Sequence, residues 1–492
     1  MKKTGCFEKA AALAAAMLIY GASTVSAADL TIQQAVDMAL EQNTSLKITE
    51  KGEDTAKAKL KSARGSNSFN VSASGSLTDS KADDSQAIEN GATSLNVSVP
   101  LYSGGKNQAN IKSAEIGVDA AKLTTQRARE DLRLQVIKAY YNVLESKKTV
   151  QIDQESVDRY KAHLTNMEQL YSAGSKARLD VLRSSVELTN ARQTLIKAKN
   201  DYEVNVVTLK NLLRMDQSES LNLTEDFTYT PFFAKMDACV AYAFDNRKDY
   251  LVDHYHVKQS ELAVTMAQSG YLPTLSLNAG VSYDQRFHPN HNSDHSRSVG
   301  LKASWNIFDS GVTEAAVDKA KTDLEVAELT LKRDKEDIDL NVRQQYYNMR
   351  EAQRRLVATQ SAVKEAEEDY YITNEKYRAG QGIMLDILDA QVALSTAQLN
   401  YISAEYDYAR YKAAVENAVG LDIDESSDII DPAATAAAKE RWGSHPIPPD
   451  APVSRDYRRA RSVVDDEAEA EEKEAVEAAK EAAENRREHE VR

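Results

Sequence analysis

The chain has 492 residues, of which 42% are apolar and 28% charged, with 18 Gly and 9 Pro; this excludes collagen-like, mucin-like and wholly disordered classes. Its 76 acidic and 61 basic side chains leave a net charge of -15, which argues against nonspecific nucleic-acid binding. Cys6 lies in a leader-like segment and Cys239 is the only other cysteine, so the mature chain is expected to form no intramolecular disulfide.

The first predicted element is that leader. Lys2, Lys3 and Lys9 precede an apolar run from Ala10 to Tyr20, and small residues follow up to Val25-Ser26-Ala27. A cleaved secretory signal over 1–27 has this layout, and its removal leaves about 464 residues. The competing reading is a buried N-terminal helix; the run is too short for a membrane anchor. No later stretch reaches the roughly 18–20 apolar residues of a spanning helix.

Alternating segments come next. Phe69, Val71 and Ala73 alternate with Asn70, Ser72 and Ser74, and Leu95, Val97, Val99 and Leu101 with Asn96, Ser98 and Pro100. Strands are predicted over about 67–77 and 93–101, joined by a long polar loop from Thr78 to Ala92. Helices are predicted over about 105–172 and 176–214, because no proline falls between 101 and 230 and an interior proline costs about 3 kcal/mol. Seven-residue spacing runs through Val136, Val143, Val150, Val157 and Leu164, and resumes at Val181, Leu188, Leu195 and Tyr202. Helices with that period supercoil against a neighbour. Ala139, Ser146, Asp153 and Ala352 beside the seam suggest a curved wall with one wet face rather than a dry two-stranded rope. Gly174 supplies the turn between the two helices, and Asp180 suits the N-terminus of the second.

The same order then returns. Strands are predicted over about 273–283 (Leu275 to Tyr283) and 299–308 (Val299 to Ile307), with a loop from Asp284 to Ser298. Helices follow over about 311–378 and 383–419, turning at Gly380, with Asp386 in the place of Asp180. Tyr140-Tyr141-Asn142 recurs as Tyr346-Tyr347-Asn348, a shift of 206, and Leu179-Asp180-Val181-Leu182 recurs as Leu385-Asp386-Ile387-Leu388 by the same shift. Two homologous repeats, 28–220 and 221–425, explain a register held this long. Residues 426–492 form a Pro-rich linker and an acidic Ala/Glu-rich tail, read as disordered or helical.

Period-two faces of this length suit membrane β-strands, although a soluble sheet beside a coiled coil also fits them. Four strands cannot close a barrel, and an open edge in lipid leaves backbone groups unpaired. The smallest membrane barrels have about eight strands, so such a chain must join copies of itself. Two copies supply eight strands and three supply twelve; the wider ring suits long helices around a channel.

The twofold strand-strand-helix-helix order resembles the TolC family of outer-membrane efflux proteins. So do the repeated Tyr-x-Ala-Gly-x(4)-Leu-Asp-[Val/Ile]-Leu at 171–182 and 377–388, and the junctions Val99 to Gly105 and Trp305 to Gly311. The resemblance implies a mixed membrane β-barrel plus long α-helical barrel. In that homotrimer each chain gives four strands to a shared 12-strand barrel in outer-membrane lipid. The helices continue as a periplasmic tunnel that docks onto a periplasmic adaptor and an inner-membrane efflux pump or ABC transporter. It implies no enzyme activity, no cofactor and no nucleic acid. It places the helix turns at the tunnel tip (Gly174, Gly380, Gly382) and an aperture ringed by Asp386 and Asp389, with Asp180 and Tyr377 nearby; Asp386 also fits a simple N-terminal helix charge. Gly382 departs from the family's frequent arginine, and Lys176 or Arg178 are the expected substitute counter-charges. The expected function is a passive exit duct of a tripartite efflux or type I secretion system. The alternative is an envelope tether anchored by a barrel without transport.

Other features offer less. His288, His291 and His295, with Asp284 and Asp294, have loose metal-ligand spacing, and a solvated loop is the simpler reading. His254 and His256 have no counterpart in the first repeat. Cys239 reads as a buried structural thiol. The exported substrate is not legible.

Overall fold

The computed structural model describes residues 28–81, 88–288, 291–423 and 425–436; the leader and most of the tail lie outside them. Strand β1 (Ala28–Leu30) leads into helices α1 (Ile32–Gln42) and α2 (Thr44–Ser66). A hairpin of β2 (Asn70–Ser80) and β3 (Ile88–Tyr102) follows, then the long helices α3 (Lys106–Ser172) and α4 (Arg178–Leu213). The second repeat runs β4 (Leu221–Leu223), α5 (Met236–Asn246), α6 (Lys248–Gln268), the hairpin β5 (Thr274–His288) and β6 (Asn292–Ser304), then α7 (Val312–Arg378) and α8 (Met384–Ala418). At 67 residues each, α3 and α7 are about 100 Å long at 1.5 Å per residue.

No bounds are predicted for the helices α1, α2, α5 and α6, although the segments around Cys239 in α5 and around His254 and His256 in α6 read as helical. Their joints show the repeat in backbone geometry: Asn43 links α1 to α2 at φ -63°, ψ 124°, and Arg247 links α5 to α6 at φ -62°, ψ 123°. Asn43 Oδ1 accepts the backbone N–H of Ser45 at 2.9 Å, an N-cap. Arg247 instead forks onto Asp249 at 3.0 and 2.5 Å and donates to the Ala418 carbonyl at 3.1 Å.

Strands β2-β3-β5-β6 form one antiparallel sheet in that order, so the repeats meet at β3–β5, and β2 and β6 are edges. The hairpins are longer than the alternation predicted. Pairing continues through Thr78↔Asn90 to Ser80↔Ile88, and through Asp284↔Asp294 to Arg286↔Asn292. Most of the stretches Thr78 to Ala92 and Asp284 to Ser298 is therefore strand rather than loop. Apolar alternation fades toward the hairpin ends, yet the backbone ladder does not need it. At the other end Trp305, Ile307 and Phe308 are not strand residues; the Trp305 indole N–H donates to the Tyr271 carbonyl at 3.0 Å, turning the chain toward α7.

Below the sheet the helices stand in two tiers. Next to the strands, α2 packs on α3, α3 on α6 and α6 on α7; further away α4 packs on α3, α3 on α8 and α8 on α7. The seams are the heptad lines: Val136, Val143, Val342 and Met349 are fully buried, and Val157 meets Leu188 and Leu195. Burial of such a side chain contributes about 1.5–3 kcal/mol. Ala139, Ser146, Asp153 and Ala352 are also buried, so the expected wet face does not begin there; small side chains at these points let the neighbouring helices approach.

Between the tiers the linkers are tied down by tyrosines. Tyr140 donates to the Leu30 carbonyl at 2.9 Å, Tyr408 to the Thr230 carbonyl at 2.7 Å and Tyr406 to Asp226 at 3.0 Å.

One contact between α6 and α7 is poised near neutrality. Burial, and then the neighbouring Asp334 carboxylate, raise Asp253 to about 6. The native state therefore holds a proton that the unfolded chain releases near pH 4. This protonated contact stabilises fully below about pH 4 and is lost as pH rises through 6. Asp253→Asn should make the protein more stable by about 1 kcal/mol at pH 7.5, after discounting for solvent screening, with no gain at pH 4. Urea unfolding of the detergent-solubilised protein at both pH values checks this.

Candidate functional site

The sheet separates two chemistries by face. On one side, rows run Val71–Val97–Ala279–Val299, then Ala73–Leu95–Val281–Arg297, then Gly75–Thr93–Tyr283–His295. On the other, Ser72–Asn96–Gly280–Ser298 is followed by Ser74–Ser94–Ser282–Ser296. This polar face bonds to itself: Ser74 to Ser94 at 2.8 Å, Ser282 to Ser296 at 2.9 Å and Asn278 to Ser276 at 3.0 Å. Gly280 leaves room there for the Asn96 amide, since a Cβ would lie 2.6 Å from Asn96 Oδ1 and the side chain would have to turn aside. From the row of Leu275 to that of Tyr283 the apolar face spans about 26 Å along the strand, or about 20 Å of height at a tilt near 40°. Exposed Tyr271, Trp305 and Phe308 lie at its helix-side end. A hydrophobic band with an aromatic rim on one face and hydroxyls and amides on the other suits lipid outside and water inside.

The far ends of the helices form the second part of the site. Both turns are built alike. Gly174 (φ 76°) and Gly380 (φ 77°) hold left-handed conformations, and the following N–H groups of Ser175 and Gln381 reach back to Leu170 and Lys376 at 2.8 and 2.9 Å. These are Schellman closures that glycine permits. Asp180 and Asp386 sit in the first turns of α4 and α8. Each carboxylate accepts a backbone N–H three residues earlier, Ala177 at 3.4 Å and Ile383 at 3.3 Å. Asp386 is exposed and still serves its helix N-terminus; Asp389, one turn on, is exposed as well.

Tyr377 is buried rather than facing open space. It packs with Met167 and Ile387, its hydroxyl lies 3.3 Å from Met167 Sδ, and Lys176 Nζ sits 5.1 Å above its ring. The end of α7, the α3–α4 turn and the start of α8 are joined through this one side chain. His163, 6.0 Å from the Tyr377 ring, has its Nε2 buried without a hydrogen bond among the described residues. Burial, and secondarily Lys176, hold its pKa below the usual histidine value. Arg178 is exposed. A Cβ on Gly382 would lie 3.2 Å from the Tyr377 backbone nitrogen, so a larger residue there needs the turn to shift. Tyr377 as a buried joint, and His163 beside it, were not legible beforehand, because only the fold brings residues 163, 167, 176 and 377 together.

The remaining candidates disperse. His288 ends β5, while His295 lies within β6 and packs on Tyr283 at 4.8 Å, so the three histidines do not share one free loop. No metal-ligand group of three or more occurs among the described residues. His254 packs on Tyr250, and His256 Nδ1 lies 3.3 Å from Gln259. Cys239 is buried, which pushes its thiol up to about 12. No helix among the described residues is long and apolar enough to cross a membrane.

The sequence profile described as "Outer membrane efflux protein" matches residues 35–213 and 242–421, well over half of the chain. Among curated relatives, the outer membrane efflux protein BepC of Brucella suis is 20% identical over 413 residues, covering 83% of this chain and 90% of that protein. Nodulation protein T of Rhizobium leguminosarum bv. trifolii is 23% identical over 325 residues, covering 64% and 68%. Among solved structures, the outer membrane protein VceC of Vibrio cholerae superposes with a TM-score of 0.70 at 18% identity, covering 79% of this chain and 96% of that one. The open state of the Neisseria gonorrhoeae MtrE channel gives 0.63 at 18% identity, covering 81% and 93%. These likenesses extend across both repeats, strands and helices included, and the chain belongs to the TolC-like outer membrane efflux proteins, with its sheet in the outer membrane and its helical tunnel in the periplasm.

Proposed function

We propose that three copies assemble into a passive outer-membrane exit duct with a shared 12-strand barrel. The observation that carries this is the pair of unpaired edges, β2 and β6, on a four-stranded sheet with one lipid-suited face. Hydrocarbon does not tolerate an open edge, so β6 of one copy pairs with β2 of the next until the ring closes. The helical tiers support the same reading. Their outermost members carry exposed apolar residues, Leu182, Val186 and Val204 on α4 and Leu340 and Tyr347 on α7, which a second copy would cover. Relatives named for efflux, for alkaline protease secretion (AprF) and for cobalt-zinc-cadmium resistance (CzcC) support an inner-membrane transporter and a periplasmic adaptor as partners that supply energy and cargo. Purified trimer in a planar bilayer should give discrete, stable ion currents. A tether without transport predicts none.

At the tip, Asp386 and Asp389 from three copies would ring the aperture with six carboxylates. Such a ring attracts cations and opposes tight closure. Asp386→Asn/Asp389→Asn should lower cation preference, read as reversal potential in a salt gradient, by about threefold in permeability ratio at low ionic strength. An unchanged ratio removes both residues from the aperture. Lys176, held over Tyr377, is the proposed counter-charge of the closed tip. Lys176→Ala should raise closed-state conductance while Arg178→Ala leaves it near the wild-type value, and equal currents in all three proteins would refute the lock.

A further inference from the structure

On the apolar face of the sheet, one formal charge stands where none is expected. From the row of Leu275 up to that of Tyr283, every other outward position among the described residues is apolar or uncharged, but β6 presents Arg297 level with Val281 and His295 level with Tyr283. The alternation leaves no doubt about the side: Val299, Leu301 and Ala303 share it, while Ser296, Ser298 and Gly300 point to the hydroxyl-lined face. Arg297 is exposed and makes no ion pair among the described residues. A guanidinium on a lipid-facing strand is costly at mid-bilayer and tolerable only near the interface. Its flexible stem lets the head climb toward the next row, where His295 packs on Tyr283 at 4.8 Å.

We infer that Arg297 and His295, with Tyr283 as an aromatic backing, form a lipid-facing site for a phosphate of the outer-leaflet glycolipid. Three observations point the same way. On β6 this row ends the apolar band on the side remote from the helices, hence at the outer leaflet, while Leu77 and Phe287 carry the band one row further on β2 and β5. Its charge is positive, and a planar guanidinium takes two phosphate oxygens at once. The neighbouring Tyr283 is the amphipathic type that settles at headgroup level. The occupant is thus a phosphorylated lipid with several acyl chains, seated against Val281 and Val299 below the phosphate. The site rests on the closed-barrel reading, since only closure makes this face meet lipid. It lies at the β6 edge, so each protomer joint would carry one lipid, bridging two copies.

The test uses full-length mature trimer in detergent, titrated with bis-phosphorylated lipid A, with fully dephosphorylated lipid A or with phosphatidylcholine, and read by native mass spectrometry. Trimer mass and bilayer conductance are recorded on the same samples. The expected result is binding of bis-phosphorylated lipid A about tenfold tighter in wild type than in Arg297→Gln. Arg297→Lys should be intermediate, and dephosphorylated lipid A should not distinguish the variants. Equal binding of both lipid A forms, or of wild type and Arg297→Gln, overturns the site. So does a loss of trimer in Arg297→Gln that is the same in lipid A and in phosphatidylcholine, for then Arg297 pairs with a carboxylate of the adjoining copy, such as Asp79. Failure of wild type itself to form a conducting trimer would sink the barrel reading instead, and is seen independently of lipid.

Discussion

Arg410→Ala should destabilise the protein by about 3 kcal/mol, measured as the shift in urea unfolding of the detergent-solubilised protein. Arg410 stands on α8 with its side chain 16% exposed and holds Glu145 of α3 at 2.5 Å, Asp407 at 2.6 Å and the Asn142 side chain at 2.8 Å. Arg355 of α7 completes the set, 2.6 Å from the other Asp407 oxygen. Burial alone would raise the Asp407 carboxyl, but Arg410 and then Arg355 outweigh it and hold it below the ordinary aspartate range. Removing Arg410 leaves the half-buried Glu145 carboxylate without its cation and Asp407 held by Arg355 alone, so much of the cost is uncompensated desolvation at Glu145 rather than a lost attraction. Adding Glu145→Gln to Arg410→Ala should recover part of the loss, a non-additivity that distinguishes this account from simple loss of packing. The sign with pH follows from the depressed Asp407 value. Its contribution is present above about pH 4, the unfolded value, and is lost as pH falls through the lower native one. This cluster ties α8 to both α3 and α7.

A second large effect is expected at Gly420, just past the end of α8. Its φ of +75° disfavours any side chain, and an added Cβ would come 2.9 Å from Arg247 Cα and 3.2 Å from Arg247 N. Backbone cannot step aside as a flexible side chain does. Gly420→Ala should cost about 3 kcal/mol, the left-handed penalty of about 1–2 plus the displacement of the α5–α6 joint. Gly174→Ala is the control. It has a similar φ of +76° with nothing within 4 Å, so about 1 kcal/mol is expected from conformation alone. Parallel unfolding curves for the two variants test the difference, and equal losses would mean that the Arg247 contact gives way freely.

What was legible beforehand follows from which forces leave periodic traces. The long helices and their seams were readable because Val136, Val143, Val342 and Met349 repeat at a spacing set by helix geometry alone. The lengths of β2, β3, β5 and β6 were not. Beyond Leu77 and Tyr283 the ladder is held by backbone pairing, and hydrogen-bonded main chain leaves no mark on side-chain identity. The bounds of α1 and α5 were not readable because each helix is only three turns long and is stabilised by docking onto α3 and α7. At the helix turns the glycines were readable from motif, whereas the packing of Tyr377 against Met167 and Ile387 was not. Its partners His163, Met167 and Lys176 come from other helices and other parts of the chain, and no spacing rule connects them.

The strand order β2-β3-β5-β6 has a consequence for how the proposed ring responds to its surroundings. Around the wall there would be six joints of nearly the same shape: three β3–β5 joints, where one polypeptide meets itself, and three β6–β2 joints, where two polypeptides meet. Dilution acts only on the latter, so loss of concentration should open every second seam and leave the paired repeats intact. Such a wall would be sixfold in outline and threefold in chemistry, and a molecule lying along it would meet two inequivalent grooves in alternation.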